Sequence, residues 1–588
     1  MKKVLIAVAV LAVVGTAYLY DKQSRSLDKS TEQALQSPEL AYIPADTLMF
    51  AGQLKPFPVK KYIKLLSQNK ASYEQFGLMV NELSKGELVR QKFFVSLLKT
   101  YNDTLKSPDL LMQNYGVKNS FKSLFYTVGL LPVIRYEISE PEALWKMLSK
   151  AEEESGLKPT AHTISGVEYK SYAFYEKNGQ VFELIASVNN GWATLTFNTP
   201  INEQKELELA LAINKPEKSL ASENTLNKMM KKHRFDATYV GFFNHVTLLN
   251  GLTNKDNNHF NQMLNKILAL SNTDLDEKEL SVFREKTCQD DLSQLVSNWP
   301  RTVFGTHQLE ITDTSINMKA SMIIEGNTDL MRVLAGLRGF IPEHLHSADN
   351  KIMSLGLGLD IGKVTPVLTT LWNDFTQTQY QCAPLVEMQT EIAKNSPMMT
   401  AMFTGMASDV KGFSAALFDF ELSYENDQPA LKKFDSLITL SVNNPISFFN
   451  SVKAFYPPLA DLKLPQDGTA VNLNEFVPML DMFGVQVDIA VKGDNIALYS
   501  GAIASETAVS LTKQALVNNG VNSFSLDYKK FFTSLFDVAA MANQALPEEL
   551  NSLKETDMRL HFLMDYTDNG IEFLSTVDSE INFLKKAP

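Results

Sequence analysis

The sequence predicts an α+β fold: two tandem duplicated modules of antiparallel sheet with packed helices, following an N-terminal transmembrane helix. Three observations carry this expectation. Strand-like segments come in groups with helical stretches between the groups, the succession expected of antiparallel sheet covered on one face. The same succession returns at a spacing of about 304 residues, the mark of an internal repeat. At the N-terminus, Lys2 and Lys3 precede an apolar run from Val4 to Tyr20, and charge resumes at Asp21.

The apolar run bounded by Lys2, Lys3, Val4 and Tyr20 reads as a cleaved signal or a retained signal anchor. Gly15-Thr16-Ala17 offers a small-residue cleavage pattern, whereas Tyr18-Leu19-Tyr20 places aromatics where a membrane interface would lie. The retained anchor is the preferred reading. It implies a single-pass inner-membrane protein with the bulk of the chain in the periplasm. Residues 1–20 are then the anchor and 21–39 a polar tether. The first module spans 40–338, a linker 339–351 and the second module 352–588.

The first strand is expected after Pro44-Ala45-Asp46-Thr47, where Asp and Thr can organise a turn. Its counterpart is Ser354-Leu355-Gly356-Leu357-Gly358-Leu359, which sets Met49 against Ser354. Farther along, Tyr136 to Trp145 matches Leu440 to Phe449, and Val188-Asn189-Asn190-Gly191 matches Val491-Lys492-Gly493-Asp494. Gly241-Phe242-Phe243-Asn244 then matches Phe524-Ser525-Leu526-Asp527, and the turn at Thr312 matches that at Thr567. The spacing shrinks over these last pairs, which places extra helix-prone material between Asn254 and Pro300.

Between these landmarks, Tyr169, Tyr172 and Phe174 mark one strand, Val181 to Val188 a second and Trp192 to Phe197 a third. Turns at Asn178-Gly179 and Asn190-Gly191 join them as a meander. Helices are expected over 203–213 and 223–232. In the second copy, strands over 485–491 and 495–500 precede a helix over 506–517. Pro342 and nearby polar residues mark the join as an exposed linker.

Composition is that of an ordinary globular protein, 45% hydrophobic and 21% charged, with net charge −12. A surface of that sign repels phosphate backbones, so no nucleic-acid partner is expected. No nucleophile elbow, P-loop, zinc helix or EF-hand loop occurs, so no catalytic, cofactor-binding or metal residue is assigned and no cofactor is implied. Gly356 to Gly362 has the wrong spacing for a dinucleotide loop. Glu343-His344-Leu345-His346 offers only two diverging imidazoles.

Cys288 and Cys382 are the two cysteines, and in an oxidising compartment an even count suggests one disulfide. Two separate thiols are the alternative. Met398, Met399, Met402 and Met406 read first as core filling, with a hydrophobic ligand groove and a copper(I) site as alternatives. The basic cluster of Lys228, Lys231, Lys232, His233 and Arg234 suits a helix C-terminus, with anionic lipid headgroups as its rival partner.

The apolar N-terminus, Pro44-Ala45-Asp46-Thr47 and the strand-turn-strand-helix units at 181–213 and 485–517 together resemble a family of uncharacterised bacterial membrane-anchored exported proteins. The resemblance implies compartment and topology but no activity. The expected function is a non-enzymatic binding or scaffold protein of the cell envelope, partnered by an envelope protein or lipid at the inner membrane. A carrier or sensor of a lipid or other hydrophobic ligand comes second, and an envelope hydrolase third.

Overall fold

A computed structural model describes residues 36–580 apart from 68–69, 87, 178–179, 272–279, 426–427, 483, 542–543, 545, 547–549 and 551–556. The Asn178-Gly179 turn and the anchor residues Lys2, Lys3, Val4 and Tyr20 lie outside the described residues. Two compact units emerge. Unit 1 holds the described residues up to Glu325 together with Tyr380–Pro384; unit 2 holds Gly326–Gln379 and Leu385–Glu580.

Unit 1 contains β1 (Met49–Gly52), β2 (Ser123–Val128), β3 (Leu131–Glu137), β4 (Thr160–Ile164) and β5 (Val167–Lys177), then β6 (Gln180–Asn189), β7 (Trp192–Asn198), β8 (Val240–Asn244), β9 (Arg301–Ile311) and β10 (Ser315–Glu325). Their antiparallel pairings run β4-β5-β6-β7-β3-β2-β1-β8-β9-β10.

Unit 2 contains β11 (Met353–Leu357), β12 (Val410–Glu425), β13 (Gln428–Val442), β14 (Val471–Asn472) and β15 (Asp488–Val491), then β16 (Asn495–Ser500), β17 (Asn522–Asp527), β18 (Met558–Thr567) and β19 (Gly570–Glu580). Here the order is β14-β15-β16-β13-β12-β11-β17-β18-β19. Each segment matched along the sequence falls on strands that hold the same place in the two orders.

Two expectations about architecture are corrected. The nineteen strands are ordered in one antiparallel sheet rather than in two modules with a sheet each. A sequence repeat reports the succession of strands but not where a sheet ends, because the backbone groups that pair strands are the same in almost every residue. No helix among the described residues is long and apolar enough to cross a membrane. The longest, Val89–Lys106, carries Arg90, Lys92, Lys99, Asp103 and Lys106. The expectation of a transmembrane helix, a signal anchor and a single-pass inner-membrane localisation is corrected to this extent: no described helix supports it, and residues 1–20, on which it rests, lie outside the described residues.

The register of the repeat is also corrected, by one residue. Phe50 pairs with Tyr126 and Phe242, and Ser354 pairs with Ala416 and Ser525, so Ser354 stands where Phe50 stands and not where Met49 does. A strand exposes alternate residues to opposite faces, so a one-residue slip exchanges inside and outside. In β11 the small residues Ser354 and Gly356 point inward and the leucines outward, the reverse of what leucine alternation suggests.

Unit 1 buries Phe50, Tyr126, Phe242 and Val303 together with Leu40 and Ile43 from the segment before β1. Asp46 and Thr47 end that segment: Thr47 Oγ1 accepts from the Thr127 backbone N–H and donates to the Met49 carbonyl. In unit 2 the segment before β11 is a strap that buries Ile341 and Leu345 with Ala416, Leu437 and Tyr499. The strap lies so close to its neighbours that a Cβ on Gly339 would sit 2.0 Å from the Lys411 carbonyl oxygen. One on Gly358 would sit 2.3 Å from that of Gly520. Close backbone approach is the use of these glycines. The strap replaces the exposed linker expected there.

The helix expected over 506–517 runs instead over Ala502–Ser510. Its start is set by the Asp435 carboxylate on β13, which accepts the backbone N–H groups of Ile503 at 2.9 Å and Ala504 at 2.7 Å. A carboxylate at this end satisfies otherwise unpaired donors and complements the helix dipole.

Candidate functional site

The outward face of the sheet strands in unit 2 carries large apolar side chains that are not sealed. Leu357 pairs directly across from Phe413, which pairs with Leu440; Ile438 lies two residues along β13 on the same face. Leu357 is 43% exposed, Phe413 38% and Ile438 43%. Isolated exposed apolar residues are ordinary, but three adjoining ones at the centre of a sheet form a contiguous patch. On the neighbouring strands Leu355, Phe524 and Phe562 continue this face in cross-strand register, each half-buried.

The inward face of the same strands is polar. Ser354 and Ser525 hydrogen-bond side chain to side chain at 2.6 Å, and Ser525 pairs in register with His561; all three are buried. Ser523 Oγ donates to the Leu345 carbonyl at 2.7 Å, and His561 Nε2 reaches the same oxygen at 3.0 Å. A carbonyl can only accept, so His561 carries its proton on Nε2. The nitrogen that faces Ser523, at 3.2 Å, is therefore a donor and not a base. This is a fastening of the strap rather than a nucleophile with its general base.

Two strap imidazoles flank that fastening. Both ring nitrogens of His344 are buried without a hydrogen-bond partner. Burial, reinforced by Lys351 and His346, pulls its pKa down to about 4. Burial likewise pulls His561 down to about 4, against the opposing bond to Leu345. The pKa of His346 is lowered too, first by burial. Sequence reading singles out His344 and His346 but misses His561, which comes from a strand more than two hundred residues away.

The four methionines are not core. Met398 is 62% exposed, Met399 71%, Met402 81% and Met406 70%. Met398 and Met399 lie on a 3-10 turn over Pro397–Thr400 and Met402 on the short helix Ala401–Thr404 that continues it; Met406 follows just past the helix end, after Gly405, whose backbone angles are still right-handed helical. Thr365, on the helix Ile361–Gln377, bonds through Oγ1 to Thr400 Oγ1 at 2.9 Å and to Thr404 Oγ1 at 3.0 Å. The threonine side is thereby pinned down. At about 100° per residue, Met398, Met399, Met402 and Met406 cluster on the opposite side of the segment.

Cys288 and Cys382 are joined in a disulfide with Cα atoms 4.3 Å apart. Asp291 supports the bridge by accepting the backbone N–H groups of Gln381 and Cys382 at 2.6 and 2.8 Å. Together they fasten Tyr380–Pro384 to the helix Lys286–Ser297 within unit 1.

Unit 1 also holds two ionic clusters that sequence reading missed. Buried Glu325 accepts from His233 at 2.7 Å, Lys232 at 2.9 Å and Arg301 at 2.6 Å. Burial alone would raise its pKa; the bond to His233 and the charges of Arg301 and Lys232 overcome this and hold it at about 2. Lys232 and His233 of the basic cluster are thus committed to a carboxylate. The second cluster pairs His259 Nδ1 with Asp46 at 2.8 Å. The bond to Asp46 raises the His259 pKa despite burial. A cavity of about 280 Å³ in unit 1 opens beside Asn81, Lys99 and Asn102 and is lined mainly by polar side chains. Among the described residues no group of three or more His, Cys, Asp or Glu could hold a metal ion.

Comparison with known proteins finds no matching family model, no matching curated protein and no matching solved structure.

Proposed function

We propose that this chain is a non-enzymatic binding protein that takes up a hydrophobic ligand, such as an acyl chain, on the outward face of the sheet strands in unit 2. One observation carries the reading. Large apolar residues at Leu357, Phe413 and Ile438 point outward and remain partly open, while Ser354, Ser525 and His561 occupy the buried side. A sheet built only for stability would bury its leucine and phenylalanine and expose its serine. The outward arrangement offers an extended apolar platform with rigid strands beneath it, suited to a ligand that needs area rather than directed hydrogen bonds. The disulfide further supports work in an oxidising compartment.

A second reading, docking of a protein partner, is favoured by the exposed methionine face, because unbranched thioether side chains adapt to varied apolar surfaces. The two are separated by substitution. Native mass spectrometry of the purified chain, followed by solvent extraction, should find a bound fatty acid or phospholipid. A Leu357→Ser, Phe413→Ser, Ile438→Thr variant should lose at least tenfold in affinity for a fluorescent fatty acid while melting as the parent does. Equal probe affinity in the two proteins, with nothing extracted, would reject the apolar platform.

A further inference from the structure

We propose that Met398, Met399, Met402 and Met406 form a binding site for a soft monovalent d10 cation of the copper(I) class, with Met402 at its centre. The inference concerns thioether sulfur, not apolar area, and does not rest on the sheet platform.

The argument begins with what the methionines do not do. They are 62–81% exposed, so packing does not account for them. Helix propensity does not require them either, since Ala, Leu, Gln and Lys serve a helical segment as well. Yet ten residues, Pro397 to Met406, hold four of the 22 methionines in a chain of 588.

Geometry then supplies the centre. Met402 has Met398 four residues before it, Met399 three before and Met406 four after. These are the spacings at which helical side chains meet, with Cβ atoms about 5–6 Å apart. Each methionine has three rotatable bonds beyond Cα, so the sulfurs can close that gap onto one ion. The pinning of Thr400 and Thr404 to Thr365 holds the other side of the segment, leaving the methionine side free to close on an ion without disturbing its attachment.

Chemistry selects the ion. Thioethers are soft, neutral donors that favour copper(I), while hard divalent ions prefer oxygen. Both cysteines are committed to the disulfide, so no thiolate competes for a soft cation in this chain. Four neutral ligands leave the cation's charge uncancelled, which suits a reversible site more than a permanent one.

The test uses the full chain with two probes, silver(I) in chloride-free buffer and copper(I) delivered by a weak chromogenic chelator. The parent protein should withdraw one equivalent of either ion, and silver(I) should shift the 13C-methyl methionine NMR signals of these four residues. A Met398→Leu, Met399→Leu, Met402→Leu, Met406→Leu variant keeps the apolar surface and removes the sulfur. It should lose at least a hundredfold in copper(I) affinity and keep its fatty-acid affinity. Should that variant fail to fold, Met402→Leu alone should lose at least tenfold. Unshifted methyl signals, or undiminished copper(I) affinity in the folded leucine variants, would overturn the site. Because fatty-acid binding is read separately, failure of the metal site and failure of the sheet platform are distinguishable.

Discussion

The row Tyr126-Phe50-Phe242-Val303 in unit 1 and the row Ala416-Ser354-Ser525-His561 in unit 2 hold the same places in two pairing orders that match except for the additional edge strand β4 of unit 1, yet they share no chemistry. In unit 1 the row is aromatic and aliphatic, and charge is kept in tight clusters around Glu325 and Asp46. In unit 2 the row is mostly small and polar, held by the hydrogen bond between Ser354 and Ser525 and by that of His561 to the strap carbonyl of Leu345. Backbone pairing therefore sets the strand order in both units, while the inward side chains of the row are free to differ where their buried polar groups find partners. Unit 2 uses that freedom to turn its large apolar residues outward.

The comparison breaks most readily at Phe242. Its replacement by Ala should destabilise unit 1 by about 4 kcal/mol, because a fully buried ring leaves a cavity that β-strands cannot close. At the equivalent place, Ser525→Ala should cost only about 1 kcal/mol, the worth of one hydrogen bond. Similar losses in chemical denaturation of the two variants would mean that the rows do the same work.

The disulfide belongs to unit 1 alone. Its two cysteines are 94 residues apart in sequence, so replacing both by Ser should cost about 4 kcal/mol through the freedom returned to the unfolded chain. A denaturation midpoint unchanged by the replacement would show the bridge to be energetically idle.

Acid should separate the units by a smaller step. His344 and His561 stay neutral down to about pH 4 when folded, whereas an unfolded histidine takes up its proton near 6.5. Their contribution is fully present above about pH 6.5 and is lost as pH falls through 4, on the order of 2 kcal/mol for each histidine by pH 4.5. Over that window unit 1 holds. The raised pKa of His259 makes its contribution complete below about 6.5 and lost only as pH rises through its folded value. Glu325, held at about 2, keeps its contribution down to about pH 4.5 and loses it only in stronger acid. Hydrogen exchange at pH 7 and 4.5 should show strap and β17 amides of unit 2 losing protection while β8 and β9 of unit 1 keep theirs. Uniform loss in both units would remove the electrostatic difference between them.

Much of the local structure was legible along the chain. Asn190-Gly191 and Gly493-Asp494 made the hairpins readable, because only a few residue types accept left-handed turn geometry. The helix-prone stretch between Asn254 and Pro300 contains the helices His259–Ser271 and Lys286–Ser297. The metal-like Glu343-His344-Leu345-His346 motif and the methionine run were visible as motifs, but their settings were not. The methionines read as core because apolar residues at helical spacing usually are. Their exposure depends on which side of the segment Thr365 holds.

What the amino-acid sequence determined by itself is the succession of strands and turns, the recurrence of that succession, and the pair of cysteines available for a bridge, all encoded within a few residues of one another or by simple count. Only the tertiary structure decided which face of β11 lies inside. Alternating Leu and Gly satisfy either register, and the choice is made by Ala416 and Ser525, which reach Ser354 from strands distant in sequence. The same holds for the Asp435 cap, the cations around Glu325 and the carbonyl shared by Ser523 and His561. Each joins groups tens to hundreds of residues apart, and such contacts leave no periodic trace in a sequence because periodicity records only the neighbours a residue meets within its own strand or helix.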